Sequence, residues 1–164
     1  MSDVQFTAEA ALNFGPANAD HQVVLILNLG CPDSRQWYLN NRQALFFATD
    51  SGSIKLQLKF WNKPVADLAN GNIANKFIDY SQPKAALAYI DAVYAQQNEL
   101  NAAVDAIEFI KTNFKTSTTT EPATIAAIDT EVAHNQITSL PTVIFDDQIY
   151  AEDTLVPLTT LLDN

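Results

Sequence analysis

The run Val23-Val24-Leu25-Ile26-Leu27-Asn28-Leu29 constrains the fold more than any other part of the chain. A strand with one wet face alternates apolar and polar residues. One that does not alternate must be covered on both faces. The run ends at Gly30, and a helical pattern follows from Ser34 to Thr49, with Trp37, Leu45 and Phe46 as inward residues. A buried strand passing straight into a helix implies a mixed sheet covered by helices. The 164 residues, 48% apolar and 17% charged, suffice for one well-cored domain over 1–164 and are short for two.

The remaining pattern changes period twice. Val4 to Ala8 reads as a short edge strand, and the turn-rich stretch from Asn13 to Asp20 as a loop. After a stop at Asp50-Ser51-Gly52-Ser53, the segment Ile54 to Trp61 alternates as a half-buried strand, with Ile54, Leu56, Leu58 and Phe60 on one face. From Pro64 to about Asn135 the period is helical. One helix is expected from Pro64 to Asp79. Another follows from Pro83, with Ser81 as its cap and Leu87, Ile90, Val93 and Tyr94 as its stripe. A third carries Leu100, Val104, Ile107 and Ile110, and a fourth runs from Glu121 to about Asn135 with Ile125, Ile128 and Val132 inward. Lys115 to Thr120 is a polar loop. Strand character returns at Pro141 to Phe145. Asp146-Asp147 turns the chain into Gln148 to Tyr150, and Thr154 to Leu162 closes as a helix. The order is β-α-β, a helical insertion at about 64–135, then β-β-α.

Cys31 is the only cysteine. It stands at the strand-to-helix junction, where unpaired amide N–H groups favour a thiolate. A lone cysteine forms no internal disulfide and no zinc cluster, and His21 and His134 fit no metal spacing. No metal or cofactor is expected. Asn70-Gly71-Asn72 follows no strand and makes no phosphate loop. The net charge of −10 opposes nucleic acid and anionic membrane surfaces. The N-terminus lacks the basic and apolar regions of an export signal. No apolar run is long enough to span a bilayer. The single unpaired thiol adds to a cytoplasmic expectation.

Cys31-Pro32-Asp33-Ser34 and Leu140-Pro141-Thr142, in that order and with these flanking strands and helices, resemble the thioredoxin-fold superfamily and most closely its DsbA-like branch of thiol–disulfide oxidoreductases. The resemblance implies a thioredoxin-like α/β fold with a helical insertion. It implies that Cys31 is the nucleophile, that Ser34 stands where the resolving cysteine would be, and that Pro141 is a cis-proline shaping a peptide groove. Pro32, Asp33 and Leu140 fall beside the bound substrate. Trp61, at the end of the second strand, is placed to rim the groove or to pack as a core aromatic.

The lost second cysteine leaves two functions open. One is monothiol exchange with a protein or peptide disulfide, with a low-molecular-weight thiol as a further partner and the Ser34 hydroxyl polarising Cys31. The other is a non-catalytic module that binds peptide in the same groove, with Cys31 a small buried hydrophobe. Asp33 opposes a second anion beside it. Asp146, Asp147, Glu152 and Asp153, with Asp129 and Glu131, gather negative charge near the hairpin. Such charge repels anionic glutathione and steers basic peptides.

Overall fold

A computed structural model describes residues 4–116 and 119–163. Ser117 and Thr118, within the expected Lys115–Thr120 loop, lie outside the described residues. The edge strand β1 (Leu12–Phe14) precedes the central strand β2 (His21–Leu27), the long helix α1 (Pro32–Asp50) and strand β3 (Ile54–Phe60). Helices α2 (Ala69–Asn75), α3 (Pro83–Ala95), α4 (Gln97–Ala102), α5 (Ala106–Asn113) and α6 (Pro122–His134) form the insertion. The hairpin β4 (Thr142–Phe145) and β5 (Gln148–Ala151) and the short α7 (Leu158–Leu162) complete the chain. The strand order is β1-β3-β2-β4-β5, with β2 parallel to β3 and every other pairing antiparallel. This is the thioredoxin-like architecture with its helical insertion. Among the described residues from Ala66 to Thr112 there is no strand.

The non-alternating run explains the layering. Val23 to Leu27 are at most 2% exposed. Val23, Leu25 and Leu27 join the core shared with α1 and α3. Val24 and Ile26 join a second core with Ile128, Val132 and Ile144 beneath α6. Full burial of such a side chain contributes roughly 1.5–3 kcal/mol, so this strand alone accounts for much of the reason the two helical layers close on the sheet.

Several boundaries differ from expectation. The edge strand is β1, not Val4 to Ala8. Val4 and Phe6 pack on the second core, and their alternation reflects that contact rather than strand pairing. Strand β3 is buried on both faces: Gln57 is 1% and Lys59 0% exposed. The Lys59 ammonium reaches Glu131 Oε1 at 2.6 Å and donates to the carbonyls of Thr7 and Ala10. A charge that looked solvated is therefore neutralised inside. Burial lowers the Lys59 pKa from its ordinary value, and Glu131 opposes that shift.

The insertion is more broken than its periodicity suggests. Pro64 to Asp79 holds a 3-10 turn (Ala66–Leu68) and the short α2 rather than one helix. Asn70, Gly71, Asn72 and Asn75 are weak helix formers, and the three asparagine side chains bond outside the helix. Ser81 is not a cap: its hydroxyl bonds Asp79 at 2.6 Å, and Gln82 precedes α3. The third expected helix is two, because Ala103 is extended (ψ 133°) and turns Val104 fully outward. The last helix starts at Leu158 rather than Thr154, after a 3-10 turn (Glu152–Thr154) and Pro157.

Candidate functional site

Helix α1 begins at Cys31 for local reasons. Pro32 occupies its first turn, where a missing N–H costs nothing. Cys31 itself is the N-cap, its sulfur accepting the Ser34 N–H at 3.4 Å. The thiol also points at the Leu140 carbonyl at 3.9 Å. The Leu140–Pro141 peptide is cis. The two motifs are thus brought face to face across 109 residues of sequence. Cys31 is 8% exposed.

The Ser34 hydroxyl does not polarise the sulfur as expected. Ser34 is fully buried, and its Oγ accepts the Asn28 N–H at 3.3 Å. It is the Ser34 amide that meets Cys31. Trp61 also differs from the groove-rim reading. Its ring packs on the second core with Lys63 5.8 Å above it, while its carbonyl accepts the Asn28 and Asn75 side-chain amides.

A groove of about 370 Å³ opens along the Leu140–Pro141 loop that the thiol faces. Leu140, Pro141, Trp37 and Leu155 supply its apolar surface, and Asp33, Gln36, Asn40 and Glu152 its polar edge. Helix α1 and the C-terminal segment are tied together along it. Trp37 Nε1 donates to the Val156 carbonyl at 3.3 Å, and Leu158 N donates to Asn41 Oδ1 at 2.8 Å. Asp33 and Pro32 are exposed on the first turn of α1.

Amide side chains of the insertion hold the Leu29 N–H and the carbonyls of Leu29, Gly30 and Cys31. Gln97, 1% exposed, donates from Nε2 to both the Leu29 and Cys31 carbonyls, at 2.9 and 3.0 Å. Asn101 Nδ2 donates to the Gly30 carbonyl at 3.0 Å. Leu29 N donates to Asn75 Oδ1 and Gly30 N to Asn28 Oδ1. Tyr94 donates its hydroxyl to the Asn28 carbonyl, and burial, then Cys31 and Tyr38, raise its pKa well above the ordinary phenol value. Helix α2 approaches so closely that a Cβ on Gly71 would lie 2.5 Å from Gly30 N. These residues escaped sequence reasoning, since Asn and Gln carry no period. The one available signal was the density of Asn between Asn70 and Asn75.

The acidic residues near the hairpin separate. Glu152 lines the groove, and the Ser139 hydroxyl donates to it. Asp146 bonds His21 and Gln22 N at the far end of β2, and Glu131 is buried against Lys59. Among the described residues no group of His, Cys, Asp and Glu is arranged to hold a metal ion. None of their helices is long and apolar enough to cross a membrane.

A helix-capping cysteine facing the Leu140–Pro141 loop, on this sheet and beneath this insertion, defines a thioredoxin-fold protein. The family model described as thioredoxin matches residues 7–164, and the chain belongs to that family. A conserved protein of unknown function from Enterococcus faecalis V583 is 25% identical, with TM-score 0.83 over 96% of this chain and 90% of its own. A periplasmic thioredoxin-like protein from Salmonella enterica serovar Typhimurium (17% identity, TM-score 0.67, 96% and 89% covered) shares the fold. So does α-DsbA1 of Wolbachia pipientis (14%, 0.63, 93% and 87%). No curated protein matches the chain.

Proposed function

We propose that the protein carries out monothiol exchange with peptide or protein disulfides, with Cys31 as nucleophile. The observation that carries this reading is the Cys31 sulfur at the N-terminus of a 19-residue helix, beside the Leu140–Pro141 wall of an open groove. The first turn of α1 and the Ser34 N–H are directed at that sulfur. The thiolate attacks one sulfur of the substrate disulfide. The S–S bond breaks, a mixed disulfide forms, and the other sulfur leaves with the electron pair as a thiolate. Pro32 and Asp33 flank the incoming chain, and Leu140 and Pro141 form the surface it lies on.

Ser34 has no thiol with which to release the product. The mixed disulfide therefore persists until an external thiol attacks it. A low-molecular-weight thiol fills that part, and a cytoplasmic setting, consistent with a chain holding one cysteine, supplies it.

The test is alkylation of Cys31 at neutral pH, followed by intact mass, in native and in urea-unfolded protein. The native thiol is expected to label faster than the unfolded one, and Cys31→Ser not at all. Labelling only on unfolding leaves a groove that binds peptide without exchange.

A further inference from the structure

The groove along the Leu140–Pro141 loop carries charge of one sign. Asp33 stands on the α1 side and Glu152 on the hairpin side, and among the described residues no basic one lines it. The exposed Glu152 carboxylate accepts a hydrogen bond at the groove edge. Ser139 donates to its Oε1 at 2.5 Å, and the residue holds a left-handed backbone (φ 52°). The surface between the two carboxylates is apolar and partly aromatic, formed by Trp37, Leu140 and Pro141. Such a groove suits the aliphatic stem of a lysine or arginine with its charged head at the edge. The chain's net charge of −10 acts in the same sense at longer range.

We infer that this groove selects extended peptides bearing Lys or Arg beside their disulfide cysteine, and disfavours anionic disulfides such as that of glutathione. The inference rests on the exchange reading above and adds the substrate class. In the reaction, Cys31 Sγ bonds the peptide sulfur and its proton goes to solvent. The displaced sulfur leaves as a thiolate, so no oxidant beyond the substrate disulfide is used.

Two short peptides test it, identical except for Lys or Glu on both sides of a single cysteine. Each is activated as a mixed disulfide with thionitrobenzoate, whose release is followed by absorbance. At low salt the Lys peptide is expected to react about tenfold faster than the Glu peptide, taking about threefold in rate for each groove carboxylate. Glu152→Gln, which keeps a partner for Ser139, is expected to bring the ratio down to about threefold, and added salt to compress it. Asp50→Asn, at the far end of α1, serves as the remote-charge control. Equal rates for the two peptides overturn the inference, as does an equal fall in Glu152→Gln and Asp50→Asn. If neither peptide releases thionitrobenzoate, it is the exchange reading that fails. The charge preference is then read from tryptophan fluorescence of Cys31→Ser titrated with the reduced peptides. Tighter binding of the Lys peptide supports the groove's selectivity, and equal or absent binding ends it.

Discussion

Gly71→Ala places a single methyl group at the most crowded point of the site. Its Cβ would lie 2.3 Å from Asn28 Oδ1, 2.5 Å from Gly30 N and 2.6 Å from Gly30 Cα. Ordinary contacts are near 3.5–4.0 Å, so the overlap is about 1 Å or more. Two of those atoms are backbone of the turn that carries Cys31. The third accepts the Gly30 N–H and cannot swing away without leaving that donor buried and unpaired. Helix propensity favours alanine by about 0.8–1.0 kcal/mol. Overpacking costs about 1–3 kcal/mol and the orphaned donor about 1–3 kcal/mol more. The net expectation is a loss of about 3 kcal/mol, or roughly 6–12 °C in Tm for a chain of this size. Gly52→Ala is the control. That glycine has φ 82° but its Cβ would meet only Pro16 Cγ at 3.9 Å, so it loses about 1–2 kcal/mol from backbone strain alone. Urea titration measures both variants, and native alkylation of Cys31 reports the turn. The Cys31 rate should change in Gly71→Ala and hold in Gly52→Ala. A Gly71→Ala protein as stable as wild type, with an unchanged thiol, would refute it.

Gln97→Leu leaves the Leu29 carbonyl without its donor while the Cys31 carbonyl keeps Arg35 N. A loss of about 1–3 kcal/mol is expected in urea titration, with an altered native alkylation rate of Cys31. Glu131→Gln strips the buried Lys59 ammonium of its counter-charge and is expected to cost about 3–5 kcal/mol. Pairing it with Lys59→Met should recover most of that loss in the same assay. The pKa values of Tyr38, Tyr89 and Tyr94 are raised, chiefly by burial. The unfolded chain thus releases phenolic protons near pH 10 that the folded one holds. This contribution to stability is complete below about pH 10 and is lost as pH rises beyond it. Phenolate absorbance should appear together with unfolding in an alkaline titration, not before it.

The parts of the fold that rest on hydrophobic period were legible in the sequence. Val23 to Leu27 announced a strand covered on both faces, and Ile90, Val93 and Tyr94 the inner stripe of α3. Cys31-Pro32-Asp33-Ser34 and Leu140-Pro141-Thr142 stood out only through their resemblance to a known family, and the fold sets Cys31 against the Leu140 carbonyl. What could not be read depends on polar groups paired across long separations. Lys59 looked like the wet face of a half-buried strand, since its partner Glu131 lies 72 residues away. The amide clamp of Asn28, Asn75, Gln97 and Asn101 has no period and no motif. Ser34 was expected to polarise the sulfur through its hydroxyl, but that oxygen accepts Asn28 N and the amide meets the sulfur. Val104 fits a helical stripe in sequence yet faces solvent, because the extended residues Ala103 and Asp105 reset the phase.

The most direct test of the account is the fate of the mixed disulfide between Cys31 and a peptide in wild type and in Ser34→Cys. Residues 31 and 34 flank the first turn of α1, a separation suited to a disulfide. Mass spectrometry over time should find the wild-type adduct intact until an external thiol is added. In Ser34→Cys the peptide should leave unaided, with an internal disulfide appearing at the same rate. A wild-type chain that forms no adduct while folded, or a folded Ser34→Cys that forms the adduct but never closes its disulfide, would contradict the claim that this is a thioredoxin-type site lacking only its second thiol.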